Sequence, residues 1–227
     1  MYQIHFPAKP LSPFIECYWV LRVTTATNFT VAENVFVDNK ADIIFSFDSP
    51  YQRHLPTSPG KSALIARSNL DAPRDYPVRI DQQGSCHLIG IRFKPGGLSV
   101  FVPIPINQLK NQVLDLKDIF GEAILTLENL LFDQLESPQA IKAQLDCFFL
   151  QRLVIPKNMD LVVQMSNQIT TSQIHTVQAL SEAFGYSARH LDRVYQQLFG
   201  LSPKFHLRLA RFHTVLSQLI ANPALSI

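Results

Sequence analysis

Two hydrophobic periodicities divide the chain. Over roughly the first hundred residues, apolar positions fall in short runs or alternate with polar ones. Tyr18–Val23 (YWVLRV), Asp42–Phe47, Ser62–Ala66 and His87–Phe93 are rich in β-branched and aromatic residues, which predicts strands. Clusters of turn-forming residues at Asp48–Gly60 and Leu70–Pro77 separate them. Short strands at this spacing predict a small antiparallel barrel or sandwich. Gly90 interrupts a strand pattern and marks either a bulge or a close backbone approach.

From Asn107 the period lengthens to that of a helix. A helical segment can begin near Asp115, and Ile124, Leu127, Leu131 and Leu135 then form an apolar stripe. Ser137-Pro138 reads as a cap followed by proline in the first turn, opening a helix that carries Ile141, Leu145, Phe148 and Phe149. Two such helices can pack on the β part or against a second copy of themselves, and the two roles are compatible. Pro156 breaks the pattern, and Lys157–Ile169 reads as the next helix.

The densest pattern runs from His175 to Leu219. Val177, Leu180 and Phe184 mark one face of a short helix, Gly185 can end it, and Ser187 is a candidate cap for the next. Two helices joined by such a turn make a helix-turn-helix. The second helix carries two stripes. Leu191, Val194, Tyr195 and Leu198 are apolar, whereas Arg189, Asp192, Arg193 and Gln196 are polar and long. Arg, Gln and Asp are residue types that read base edges, but a solvated surface face has the same appearance. Gly200 ends this helix, and Ser202-Pro203 starts a longer one with a predicted inner stripe of Phe205, Leu209, Phe212 and Leu216. Ser187, Lys204, Arg208 and Arg211 are placed where they could meet phosphates, contacts that position a protein without reading sequence.

Composition narrows the classes. A chain of 227 residues, 47% of them apolar, suits two modest domains with packed cores. No apolar run is long enough to span a membrane, and the N-terminus lacks the profile of a signal peptide, so a cytoplasmic location is expected. Three scattered cysteines suggest neither a disulfide framework nor a zinc site. The net charge of +2 is unevenly divided: residues 157–227 hold six Lys/Arg against three Asp/Glu, while the preceding part is nearly balanced. That asymmetry has the sign a phosphate-binding module needs.

Catalytic chemistry finds little support. His5, His54 and His87 are isolated, with no His-x-His pair to begin a metal site. His87 shares a strand face with Ile89, Ile91 and Phe93 and reads as a core or wall histidine. No Gly-rich phosphate loop, nucleophile elbow or paired-carboxylate motif occurs, and no cofactor or metal is expected. Arg92 and Lys94 project from the opposite face ahead of Pro95-Gly96-Gly97. They are candidates for holding an anionic effector, or else are exposed or paired with acidic neighbours.

The run A-L-x-x-x-F-G-Y-S-x-R-x-L-x-R-x-Y, followed by F-G-L-S-P-x-F and L-x-L-x-R, resembles the first half of an AraC/XylS-type DNA-binding domain over about residues 160–227. The Tyr18-Trp19 strand and the GIRFKPGG segment (Gly90–Gly97) are more loosely similar to the sensor domain of a subgroup of these regulators. The resemblance implies that Arg189, Asp192 and Arg193 face the major groove. Ser181 and Phe205 depart from it mildly, standing where alanine and tyrosine are usual. Regulators of this family carry two helix-turn-helix units. This sequence stops at Ile227, with Ser226-Ile227 resembling the start of a further helix.

The sequence therefore predicts an α+β protein. Residues 1–106 form an N-terminal antiparallel β-barrel-like (cupin-like) sensor domain. Residues 107–156 form a helical linker, a candidate dimerisation segment, and residues 157–227 an all-α helix-turn-helix region comprising the first unit and connecting helix. The expected function is transcription regulation by sequence-specific binding to double-stranded DNA, with no enzymatic activity. A small-molecule effector and a second copy of the chain are candidate partners, and a bacterial, nucleoid-associated setting is expected. The alternative is an effector-binding or dimerisation module that has lost specific DNA binding through truncation.

Overall fold

The strand Cys86–Phe93 is apolar at almost every position, and all but one of its residues are buried. A strand buried on both faces belongs in the middle of a sheet, and it lies there in the computed structural model of the chain, which describes residues 1–24, 30–55, 62–65, 67–171 and 173–222. The strands are β1 (Tyr2–His5), β2 (Ile15–Val23), β3 (Thr30–Val35), β4 (Asp42–Ser46), β5 (Tyr51–His54), β6 (Ser62–Ile65), β7 (Asn69–Asp71), β8 (Val78–Gln83), β9 (Cys86–Phe93) and β10 (Val113–Asp115). The helices are α1 (Ile106–Leu109), α2 (Leu116–Phe120), α3 (Glu122–Asp133), α4 (Pro138–Leu150), α5 (Met159–Thr170), α6 (Val177–Phe184), α7 (Ala188–Phe199) and α8 (Pro203–Ala221). A 3-10 turn spans Gly97–Val100. Ala66, part of the Asp48–Gly60 cluster and the Ser226-Ile227 pair lie outside the described residues.

The strands form two antiparallel sheets, one in the order β1-β2-β9-β4-β7-β10 and one in the order β3-β8-β5-β6. The expected barrel is therefore not closed among the described residues. Within the first sheet, residues directly opposite one another point to the same side. Tyr18, Ile91, Ile43 and Leu70 stand in one row, and Val20, Ile89 and Phe45 in the next. Helices cover this apolar face: Phe149 of α4 packs edge-on against Phe93 and Phe101, with ring centroids 5.8 and 4.9 Å away. Asp146 fixes α4 in place, accepting hydrogen bonds at Oδ1 from the Tyr18 hydroxyl and the Ala8 amide, each 2.9 Å long.

The other face is mixed, with Trp19, Ile44 and Leu88 on it beside a charged row. Cys17, Arg92, Asp42 and Asp71 occupy one row there. Arg53 of β5 reaches from the second sheet to Asp71 Oδ1 (2.9 Å), and Arg74 binds Oδ2 of the same carboxylate (2.7 Å). All three are buried. The apolar core thus lies between sheet and helices, and a charged layer joins the two sheets.

Gly90 is a close approach. Trp19, directly opposite on β2, lies across it, and a Cβ at Gly90 would fall 1.9 Å from Trp19 Cε2. Gly97 is similarly constrained by the Phe14 carbonyl oxygen, 2.0 Å from where a Cβ would stand. The buried cluster runs without a break from Leu11 through α4 to Leu191, Phe199 and Leu207.

Substituting Gly90 by Val should destabilise the fold by about 1–3 kcal/mol, the usual cost of overpacking. In a Trp19→Ala background the same substitution should cost at least about 1 kcal/mol less, a coupling that urea denaturation of the four chains measures. Equal costs in both backgrounds would mean that Trp19 does not occupy the space above Gly90.

Candidate nucleic-acid interface

Helices α6 and α7 are joined by three residues, Gly185, Tyr186 and Ser187, and local chemistry sets each boundary. Thr176 caps α6, its Oγ1 accepting from the Ala179 amide (3.1 Å). Gly185 has a φ of 68°, and its amide donates to the Ser181 carbonyl (3.0 Å), closing α6. Ser187 Oγ accepts from the His190 amide (3.3 Å) to open α7. Gly200, with a φ of 80°, ends that helix, and Ser202 Oγ accepts from the Phe205 amide (3.1 Å) to open α8.

Helix α7 is held on two sides. Leu191, Val194, Tyr195 and Leu198 are buried, and α5, α6 and α8 pack around the helix. On another side it meets α1 and the 3-10 turn. Phe199, beyond the apolar stripe legible in the sequence, lies against Gly96, where a Cβ would stand 2.3 Å from its ring. Gly200 makes a similar approach, since a Cβ there would stand 2.9 Å from Ile106 Cγ2 and 3.4 Å from Pro73 Cβ. Neither contact has a local signature, since both join residues about a hundred positions apart.

The polar face remains open in part. Arg189 and Arg193 are exposed, while Asp192 and Gln196 are half-buried. Gln196 Nε2 donates to Asp192 Oδ2 (2.6 Å), so these two act as a unit. Arg193 Nη1 lies 3.4 Å from Gln197 Oε1, a weak contact that leaves its guanidinium available. Asn107 of α1 borders the same face, and between them lies a hollow of about 580 Å³. Tyr186 stacks on His190 at the entry of the helix, with centroids 4.9 Å apart.

On α8, Lys204, Arg208 and Arg211 are exposed at helical spacing, and Ser187 is exposed beside the start of α7. The inner face of α8 differs from its expected stripe. Leu209 is buried as expected, but Phe205 and Leu216 are half-buried and Phe212 is 46% exposed, while Pro203, His206 and Leu207 are buried beside Leu209. His206 faces Tyr195, whose hydroxyl hydrogen-bonds to its Nδ1. Burial lowers the His206 pKa from 6.5 to about 4.

The two candidate anion-holding cations, Arg92 and Lys94, have different surroundings. Arg92 pairs with Asp38 and, at 3.1 Å, with Asp42, whereas Lys94 is exposed. His87 is buried and packs edge-on to Phe47, with centroids 6.4 Å apart. Among the described residues no group of three His, Cys, Asp or Glu could hold a metal ion, and no helix is long and apolar enough to cross a membrane.

A family described as a domain of unknown function (DUF6597) matches residues 3–115, the strand-rich part of the chain. No curated protein matches the sequence. Among solved structures, the chain is similar to ToxT from Vibrio cholerae at 11% identity, covering 97% of this chain and 84% of that one, with a TM-score of 0.45. An apo variant of ToxT from strain SCE256 gives 13% identity over 89% and 82% of the two chains, with a TM-score of 0.42. The unsaturated fatty acid-bound wild type gives 12% identity over 89% and 84%, with a TM-score of 0.41.

The buried His206 predicts a pH dependence. Above pH 6.5 it is neutral in both the folded and unfolded chain. As the pH falls from 6.5 to about 4, the unfolded chain takes up the proton and the folded chain does not, so stability falls. His206→Gln should remove up to about 3 kcal/mol of this loss, measured as the difference between the two chains' unfolding free energies across that window. Parallel profiles would show that His206 does not remain neutral in the folded chain.

Proposed function

We propose that the chain is a sequence-specific DNA-binding transcription regulator in which α6 and α7 form a helix-turn-helix and α7 enters the major groove. The observation that carries this reading is the exposed pair Arg189 and Arg193 on a capped helix whose opposite face is wholly buried. An α-helix fits the major groove, and arginine donates bidentately to guanine. The Asp192–Gln196 pair stands on the flank of the same face and supplies an acceptor and an amide. Ser187, Lys204, Arg208 and Arg211 contact phosphates and set register without reading sequence.

The strand-rich part acts as an effector-responsive sensor. Because Asn107 borders the reading face and Ile106 packs by Gly200, a shift of α1 changes how α7 meets DNA. No catalytic step belongs to this reading, which concerns binding and its control.

Sites selected from a random duplex pool, followed by anisotropy titrations at several salt concentrations, test the assignment. Arg193→Ala should cost about 1–3 kcal/mol at a selected site and relax preference at one base pair. Arg208→Ala should weaken all sequences alike and lower the salt slope by about one counterion. Equal weakening of every sequence by Arg193→Ala would remove α7 from the major groove.

A further inference from the structure

Beyond the Gly96-Gly97 turn, residues 99–105 run beside residues 152–156 and meet the last turn of α7. Between these three segments lies a groove of about 390 Å³. That volume is toward the lower end of the about 300–1,000 Å³ found for small-ligand pockets. Its walls are apolar for the most part, with Phe101, Pro103, Pro105, Val154 and Leu198 among them, and its charged residue is Arg152.

Arg152 stands apart from every comparable cation. Among the described residues, each other buried or half-buried lysine or arginine pairs with a carboxylate. Arg22 has Glu136, Lys40 has Glu16, Arg53 and Arg74 share Asp71, Arg92 has Asp38 and Asp42, Lys110 has Asp75, and Lys142 has Asp146. Arg152 is half-buried and has no such partner among the described residues. Its guanidinium carbon lies 3.6 Å from the centre of the Phe148 ring, and its Nη1 donates to the Phe148 carbonyl (3.0 Å). Burial lowers its pKa, and no carboxylate offsets that effect. A guanidinium has five N–H donors in a fork that matches a carboxylate, and most of these remain unused.

We propose that this groove binds a small amphipathic carboxylate, its acid group paired with Arg152 and its apolar body lying on the prolines, Val154 and Leu198. The complementarity is of charge as well as shape: the site offers one unpaired cation in an apolar setting. A neutral ligand would leave that cation unmatched, and a cationic one would be repelled. Because Gln197 and Leu198 belong to α7, an occupant ties the end of that helix to residues 99–105. The regulatory consequence rests on α7 being the DNA reader, whereas the binding itself does not.

Isothermal titration calorimetry of the full chain with phenylbutanoate, cyclohexylbutanoate and phenylbutanamide tests the site. Both acids should bind, and the amide should bind at least about tenfold more weakly, a difference of about 1.4 kcal/mol. Arg152→Met should reduce the acids to the level of the amide. Val154→Trp, at a position 70% exposed, should fill the groove and abolish binding without lowering the melting temperature. Hydrogen exchange in the presence of phenylbutanoate should slow at residues 99–105 and 197–199. Absence of acid binding, equal affinities for acid and amide, an unaltered Arg152→Met affinity or protection elsewhere would each overturn the proposal. Acid binding by a chain that shows no DNA binding would uphold the site and remove the regulator reading instead.

Discussion

The contact of Phe199 with Gly96 fixes where α7 stands. An aromatic ring fits there because the glycine has no side chain, and Gly96 also holds the positive φ that turns the chain after Lys94. Gly200 makes the reciprocal approach to Ile106 one residue later. Through these two glycines, the last turn of α7 is packed against Gly96, Ile106 and Pro73, while Leu191 and Tyr195 are buried on its other side, where α5, α6 and α8 pack. The exposed arginines are consequently displayed from a helix whose position both parts of the molecule determine. On the proposed function, that double attachment is the route by which an effector alters how the arginines are presented.

The division of the central sheet into two chemically different faces has a related consequence. The apolar rows centred on Ile89, Ile91 and Phe93 recruit helices, and Asp146 anchors α4 through Tyr18 and the Ala8 amide. The charged row on the other face meets the second sheet, where Asp71 bridges Arg53 and Arg74. Buried ion pairs recover little net stability beyond their desolvation cost, but removing one member leaves an uncompensated charge. This layer therefore favours one alignment of the sheets more than it deepens the energy of the fold. The main buried apolar cluster lies on the helical side and extends to Phe101, Val102 and Leu198 beside Arg152.

Much of the helical part is legible in the sequence because its signals are local. Gly185, Ser187, Gly200 and Ser202-Pro203 each act within a few residues of themselves, and each boundary falls where they put it. The Thr176 cap is less conspicuous, with no glycine or proline beside it to mark the boundary. The buried stripe of α7 follows from helical spacing alone. In the strands, Tyr18–Val23 and His87–Phe93 declare themselves by composition, and the alternation of Arg92 with Ile91 and Phe93 places Arg92 on the opposite face. β1, β3, β5 and β8 escape a reading by composition, because Gln, Glu, Arg and His occupy much of them and their strand character comes from pairing. Separation into two sheets depends on which residues stand opposite one another, and spacing does not encode that. Phe199, Asn107 and Arg152 escape for a similar reason. Their importance lies in partners distant in sequence, or, for Arg152, in the missing carboxylate.

The central claim is that α7 presents its arginine face to DNA while remaining anchored by both of its packed sides. Amide NMR spectra of the labelled chain, recorded while a selected duplex is titrated in, address it directly. The largest shifts should fall on residues 187–197, with smaller ones at 204–211, and the strands β2, β4 and β9 should stay unchanged. Shifts concentrated in the strands, or on α3 and α4 with α7 unaffected, would contradict it.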